Sequence, residues 1–280
     1  MYQFVPEGAR VLDVGCATGN FGQALEELKG CTVVGVDISE ADIAEAKTKL
    51  SEAYVLDITS EGIAERLGQF DVVVFADVLE HLADSREALR AVHSLLAPEG
   101  VVIYSIPNMG HLSVRLDLLE GRFSYTELGL LDRTHLHFYD RVEIHDMFTD
   151  AGFTISAERP TVSGNREDWV SERLEGVGLK ADPSFFKILA STDADVYQFV
   201  GTAVPSAEGP VVPSPPRAEV NPPDELLARA NRVVAENDEL RRQLSQLQDR
   251  LARFRRNPAG EGIRYVRRHL GSGPRADLPE

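Results

Sequence analysis

The chain has 280 residues, with 29 Lys+Arg against 45 Asp+Glu and a formal net charge of −16 at pH 7. Its 43% apolar share can fill a core, but the longest apolar run, 70–79, is broken by Asp71 and Asp77 and is too short to span a bilayer. The charge is uneven: residues 224–280 hold 12 Arg and 9 acidic residues, net +3, leaving −19 on residues 1–223, which argues against a main domain that reads nucleic-acid phosphate.

The N-terminus, Met-Tyr-Gln-Phe-Val-Pro-Glu, lacks the basic-then-apolar pattern of a secretory signal. Two cysteines, Cys16 and Cys31, make no disulfide framework, so a reducing cytosol is the expected compartment. Arg10–Gly15 reads as a first strand ending in glycine, followed by a helical pattern over Phe21–Leu28. Thr32–Val36 is β-branched, and Ser39 is placed to cap a helix running to Leu50. Ala53–Leu56, Asp71–Phe75 and Val101–Ile106 complete five strand candidates, with Ser85–Leu96 the clearest amphipathic helix between them. A helix over Asp140–Ala151, ended by Gly152, precedes strands at Phe153–Ala157 and Val196–Ala203, with a partly helical insertion expected over 161–195. Apolar runs that do not alternate suit strands buried on both faces. The repetition of strand and helix therefore predicts an α/β, doubly wound, mostly parallel sheet.

Residues 205–223 are proline-dense and predict an extended spacer. Beyond it, Leu226, Ala230, Val233, Asn237, Leu240, Leu244, Leu247, Leu251 and Phe254 alternate at spacings of four and three, a heptad pattern. Asn237 at an a position favours a parallel, in-register homodimer through 226–254, and Glu236 at g suits Arg241 at e, whereas Arg250 opposite Arg255 does not. The expected organisation is a domain at 1–204, a linker at 205–223, a coiled-coil helix at 224–256 and a basic, disordered tail at 257–280.

The chemistry concentrates at strand ends. Val11-Leu-Asp-Val-Gly-Cys-Ala-Thr-Gly19 sits where the first strand should give way to the first helix, and glycines there let the backbone approach a ligand. Gly15 and Gly19 are four apart, which is not the dinucleotide fingerprint, so a nicotinamide dehydrogenase is excluded. Asp13, just before the loop, suits a ligand with positive charge or hydroxyl donors rather than a pyrophosphate. Asp37 ends the second strand, where a carboxylate can accept from both ribose hydroxyls; a helix cap is its blander reading. Cys16 reads as a small filler, with no base paired to it.

The segments 11–19, 34–38 (Val-Gly-Val-Asp-Ile), 55–58 and 70–81, with Leu131-Asp-Arg-Thr-His-Leu-His-Phe-Tyr139 and Asp150-Ala-Gly-Phe153, together resemble the class I S-adenosylmethionine-dependent methyltransferases over about residues 1–204. The resemblance implies a seven-stranded sheet with an antiparallel last hairpin. It implies that Gly15, Cys16 and Gly19 admit the methionine part of S-adenosylmethionine, that Asp13 faces its amino group and that Asp37 and Ile38 hold the ribose side. Asp57 and Ile58 would border adenine, and Asp77 and Val78 would close the pocket. Ala17 departs from the family's usual glycine, and the lid helix that relatives often carry upstream of the first strand is expected to be missing or shortened.

Methyl transfer to a neutral hydroxyl needs in-line positioning and a group to take the proton. His135, His81 and His137 are the candidate catalytic residues, with His135 favoured. Asp77, Glu80 and His81 could instead ligate a divalent cation, as the acidic-x-x-Glu-His pattern does in some methyltransferases; no metal is the preferred expectation. Phe123, Tyr125 and the rest of 108–130 are expected to cover the acceptor, and Trp169 to pack in a core. The implied activity is methylation of a small-molecule, sugar or glycan acceptor, most readily at a hydroxyl, by a cytoplasmic enzyme with no nucleic-acid partner. The alternative is a non-catalytic S-adenosylmethionine-binding module that positions the coiled coil.

Overall fold

Strand β1 (Arg10–Val14) pairs in parallel with β2 (Thr32–Asp37) on one edge and β4 (Phe70–Ala76) on the other, and its two faces are buried in separate cores, Leu12 and Val14 in one and Val11 in the other. The computed structural model describes residues 1–60, 62–164 and 167–206, all within the first of two compact units, Met1–Ala218. The coiled-coil, linker and tail expectations beyond residue 206 lie outside the described residues. β3 (Glu52–Val55), β5 (Leu96–Pro107), β6 (Phe153–Glu158) and β8 (Val196–Pro205) complete a main path of order β3-β2-β1-β4-β5-β8-β6. β8 runs antiparallel to both β5 and β6, as the last hairpin was expected to, and a two-residue β7 (Thr161–Val162) adds an eighth strand against β8.

Successive residues of each central strand serve opposite cores. Leu12, Val14, Val34, Val36, Val73 and Phe75 pack with helices α3 (Ile63–Leu67), α4 (Ser85–His93) and α6 (Arg141–Asp150). Val11, Val33, Val72, Val74 and Ile103 pack with α1 (Asn20–Lys29) and α2 (Glu40–Ala46). Ser39 caps α2 by accepting from Asp42 N at 3.3 Å, but the helix stops at Ala46, short of Leu50. The reason is local: Leu50 turns inward to fill the space left by Gly19, Gly22 and Gly35, where added Cβ atoms would lie 3.1, 2.7 and 2.7 Å from it. α4 likewise ends at His93, because Leu96 already pairs with Phe70 in the sheet.

The insertion over 161–195 is largely helical, with α7 (Glu167–Gly176) and α8 (Pro183–Ala190). These pack with α5 (Leu112–Leu119), a helix the sequence left unassigned, in a satellite core that includes Trp169. The Arg173 guanidinium sits 5.3 Å from the Trp169 ring centroid.

Arg141, at the start of α6, joins the helix to the sheet. It donates from Nε and an Nη to the two Asp193 oxygens at 2.8 Å each and pairs with Glu158, both side chains being almost fully buried. Tyr104 completes the group by donating to Glu158 Oε1 at 2.9 Å. Removing one partner of a buried ion pair strands the others. Arg141→Ala is therefore expected to lower unfolding free energy by about 3–5 kcal/mol in a denaturant titration.

Candidate functional site

All five parallel strands end on one edge, and the order β3-β2-β1-β4-β5 makes the β1/β4 boundary the switch point where open α/β sheets bind ligands. The glycine loop follows β1. Gly15 N and Cys16 N donate to the Val36 carbonyl at 2.8 and 3.1 Å, and Gly15 and Gly19 have φ of +67° and +79°. Ala17 shares that left-handed region at +45°, where a Cβ is strained. Cys16 is buried, its sulfur 2.7 Å from where a Gly35 Cβ would lie. Burial, then Asp13 and Asp37, push its thiol up to about 12. It is a filler, as expected, and inert as a nucleophile.

Asp13 is 2% exposed, and its Oδ2 has no hydrogen-bond partner. Burial, reinforced by Asp37, raises its pKa to about 7. Asp37 does not cap α2; Ser39 does. Instead its Oδ2 accepts from Ala17 N at 3.0 Å and its Oδ1 from Ser39 N at 2.9 Å. Each oxygen keeps a lone pair for a further donor. Next to it Ile38 is 76% exposed, an apolar side chain with nothing over it. Asp57 turns Oδ1 to Thr59, accepting from its N at 2.9 Å and its Oγ1 at 2.7 Å, which holds the carboxyl below its ordinary range. Ile58 is buried among core residues, so its side chain is committed to packing.

The second wall follows β4. Val78 abuts the glycine loop, its Cγ2 2.6 Å from where a Gly15 Cβ would lie. Glu80 is 1% exposed, and neither of its carboxylate oxygens has a partner. Burial, with Asp77 and Asp132 adding, lifts it to about 8. The Glu80 carbonyl accepts from Leu136 N at 2.9 Å and His137 N at 3.1 Å, pinning the 131–139 loop onto the β4 turn. That bridge brings the His135 ring edge-on to His81, centroids 4.8 Å apart. Ligating atoms of Glu80, His81 and His135 all lie within 4.8 Å of one another.

The neighbours fix the tautomers. His81 Nδ1 lies 3.1 Å from the Thr134 carbonyl and His135 Nδ1 3.3 Å from the Leu130 carbonyl. The Thr134 hydroxyl, 3.2 Å from His81 Nδ1, already donates to Asp132 Oδ1 at 2.6 Å, and a carbonyl cannot donate, so in the neutral rings both Nδ1 atoms carry the proton and both Nε2 atoms keep a lone pair. Burial, with His81 next, holds His135 below the usual imidazole pKa and keeps it neutral. His137 does not join this group: its Nε2 lies 3.2 Å from the Ala83 carbonyl and its ring against Tyr139. Although two apart in sequence, the two histidines have different partners. Of the expected metal trio, Asp77 lies outside the convergent group; its Oδ1 accepts from Ser105 Oγ and Gln198 Nε2 at 3.0 and 2.7 Å.

Residues 3–158, more than half of the chain, match the family described as "Methyltransferase domain". The chain belongs to this family, the class I S-adenosylmethionine-dependent methyltransferases. The ubiquinone biosynthesis O-methyltransferase of Pseudomonas syringae pv. tomato is 41% identical to it over 106 residues, 36% of this chain and 45% of that protein. That of Pseudomonas putida (strain KT2440) is 40% identical over 153 residues, 53% of this chain and 66% of that one. The match thus spans about half to two thirds of these curated relatives. Among solved structures, the magnesium protoporphyrin IX methyltransferase of Synechocystis PCC 6803 with bound SAH superposes with a TM-score of 0.45 at 21% identity, covering 71% of this chain and 75% of that one.

The donor set suits the family's cofactor. Asp13 is a buried carboxylate lacking a donor, where an ammonium could sit; Asp37 has lone pairs for hydroxyls; Ile38 is an uncovered apolar flank. Because folding raises the Asp13 pKa, the folded chain binds more protons than the unfolded one between about pH 4 and 7, and stability falls as pH rises through that window. Asp13→Asn is expected to raise the thermal midpoint most at pH 8, less at pH 5 and hardly at pH 3, while weakening S-adenosylhomocysteine binding at least tenfold by calorimetry. An unchanged midpoint at pH 8 contradicts the burial argument. Ala17→Gly removes the left-handed strain and should stabilise the fold by about 0.5–1 kcal/mol in a thermal melt.

Proposed function

We propose that this protein transfers the methyl group of S-adenosylmethionine to a hydroxyl of a small-molecule, sugar or glycan acceptor, in the cytosol. The observation that carries the reading is the Glu80, His81 and His135 cluster, two imidazoles whose Nδ1 atoms face backbone carbonyls beside a buried carboxyl. The curated relatives named O-methyltransferases support the choice of oxygen. Both cysteines are unpaired, in keeping with a reducing compartment.

The cofactor, when bound, supplies a methyl group on a positively charged sulfur, ready for in-line displacement. Asp13 meets the cofactor's ammonium, Asp37 and Ile38 hold its ribose side, and Val78 keeps the glycine loop and the β4 turn together. His135 Nε2 takes the acceptor's hydroxyl proton as the oxygen attacks. His81, oriented by Thr134, keeps a second acceptor atom toward the same hydroxyl.

Outside the cluster stands an exposed aromatic collar. Phe123, Tyr125 and Phe138 are 42%, 54% and 36% exposed, and their rings contact one another edge-on at 5.5 and 6.1 Å. Phe138 leads inward to His135 at 6.3 Å. Such a collar supports an acceptor with a ring face to stack, whether aromatic or sugar. The acidic body, net −19 over residues 1–223, disfavours a strongly anionic polymer.

A second reading is favoured by one observation: Glu80 has two buried oxygens and no donor, which a divalent cation shared with the two Nε2 atoms would satisfy. The trio differs from the one in the sequence expectation, with His135 in place of Asp77. Both readings face one experiment, transfer of a radiolabelled methyl from S-adenosylmethionine into a cell extract. His135→Ala should cut incorporation about 100-fold or more, and His137→Ala should leave it within about threefold. Activity abolished by a chelator and restored by Mg²⁺ or Zn²⁺ selects the cation; insensitivity selects the base. Full incorporation by His135→Ala overturns both, and tight S-adenosylhomocysteine binding without any methyl transfer returns the non-catalytic module.

A further inference from the structure

Asp77 and Ala17 are the non-glycine residues with positive φ among the described residues, and Asp77 stands at +54°. Aspartate tolerates this region better than most residues, yet holds it only where the surroundings impose it. Here they do so from two strands. The Asp77 N–H donates to the Ser105 carbonyl at 3.1 Å, and Oδ1 accepts from Ser105 Oγ at 3.0 Å and Gln198 Nε2 at 2.7 Å. Ser105 lies on β5, the neighbour of β4; Gln198 lies on β8, opposite Pro107 at the end of β5. The Gln198 side chain thus crosses the edge of β5 to reach the turn after β4.

That turn carries both halves of the site. One residue after Asp77, Val78 presses on the glycine loop at Gly15; three and four residues after, Glu80 and His81 meet His135. A backbone rotation at Asp77 would move the two halves relative to each other.

We propose that Gln198 is a positioning residue: with Ser105 it locks Asp77 in its left-handed conformation and so holds Val78 against the glycine loop while Glu80 and His81 face His135. The readout through ligand rests on the cofactor reading above. The clamp itself does not.

A double-mutant cycle tests it on the full chain, with calorimetric S-adenosylhomocysteine affinity and thermal midpoint measured for every variant. Gln198→Met keeps the length and loses the donor, and should weaken the affinity at least fivefold. Asp77→Gly adopts positive φ unaided and offers no carboxylate to clamp. In that background Gln198→Met should change the affinity by less than twofold, and its drop in midpoint should vanish. Gln198→Glu should be the most damaging single change, because it sets a second carboxylate on Asp77. Adding Asp77→Asn, whose amide can donate to the new carboxylate, should recover most of the loss. Equal effects of Gln198→Met in both backgrounds would mark the amide as an ordinary sheet contact and overturn the proposal. So would an unchanged affinity in the single variant. Should the parent protein bind no S-adenosylhomocysteine, the methyltransferase reading falls instead, and the midpoints alone decide the clamp.

Discussion

A carboxyl group taken out of water without a donor opposes folding, and this domain keeps two of them at the edge of one sheet. Asp13 and Glu80 are 2% and 1% exposed, and unpartnered oxygens remain on both. Burial raises both groups toward or above neutrality, which lets the fold tolerate them as acids while leaving each ready for a positive partner. The rest of the site follows from their placement. Asp13 precedes the glycine loop at the end of β1; Glu80 follows the end of β4, the adjacent strand. The two strands meet at the switch point, so the two carboxyl groups stand at neighbouring strand ends on the edge where open α/β sheets bind ligands.

Rigidity around these groups comes from satisfied polar contacts. Asn108, 1% exposed, donates to the Asp193 and Val196 carbonyls at 2.8 Å each and accepts from Gly110 N. Arg141 closes on Asp193 from the other side. Together they anchor the start of β8, the strand that carries Gln198. His111 belongs to this framework too: its Nε2 lies 2.7 Å from Ser163 Oγ, and burial, with Arg115 next, lowers its pKa to about 4, so it is a neutral structural imidazole. The contrast is informative. Asn108, Arg141 and His111 are held by hydrogen bonds, whereas Asp13 Oδ2 and both Glu80 oxygens have no partner.

Much of this was legible in the sequence. Non-alternating apolar runs gave away the parallel strands, and the loop Gly15–Gly19 with Asp37 and Asp57 marked the strand-end edge where open α/β sheets bind ligands, because those features depend on local spacing. Less legible was anything set by long-range contact. Leu50 ends α2 early because three distant glycines leave room for it. His135 and His137 alternate as on a strand, yet a bridge from the Glu80 carbonyl to the main-chain N–H groups of Leu136 and His137 fixes the loop, and only His135 reaches His81. The Gln198 amide reaches a carboxylate 121 residues away, a relation no motif carries. α5 carries no clear signal in the sequence, because its apolar residues serve the satellite core of the insertion rather than the main sheet.

The central claim is that the fold holds Asp13 in reserve for a positively charged ligand. The most direct test is carbon-detected NMR of the Asp13 carboxyl, titrated from pH 4 to 9 with and without S-adenosylhomocysteine. The account predicts a midpoint near 7 in the free protein, well above the ordinary 3.8, and a fall when the ligand's ammonium arrives. An Asp13 carboxyl that titrates at its ordinary value in the free protein, or whose midpoint the ligand leaves unchanged, would contradict it.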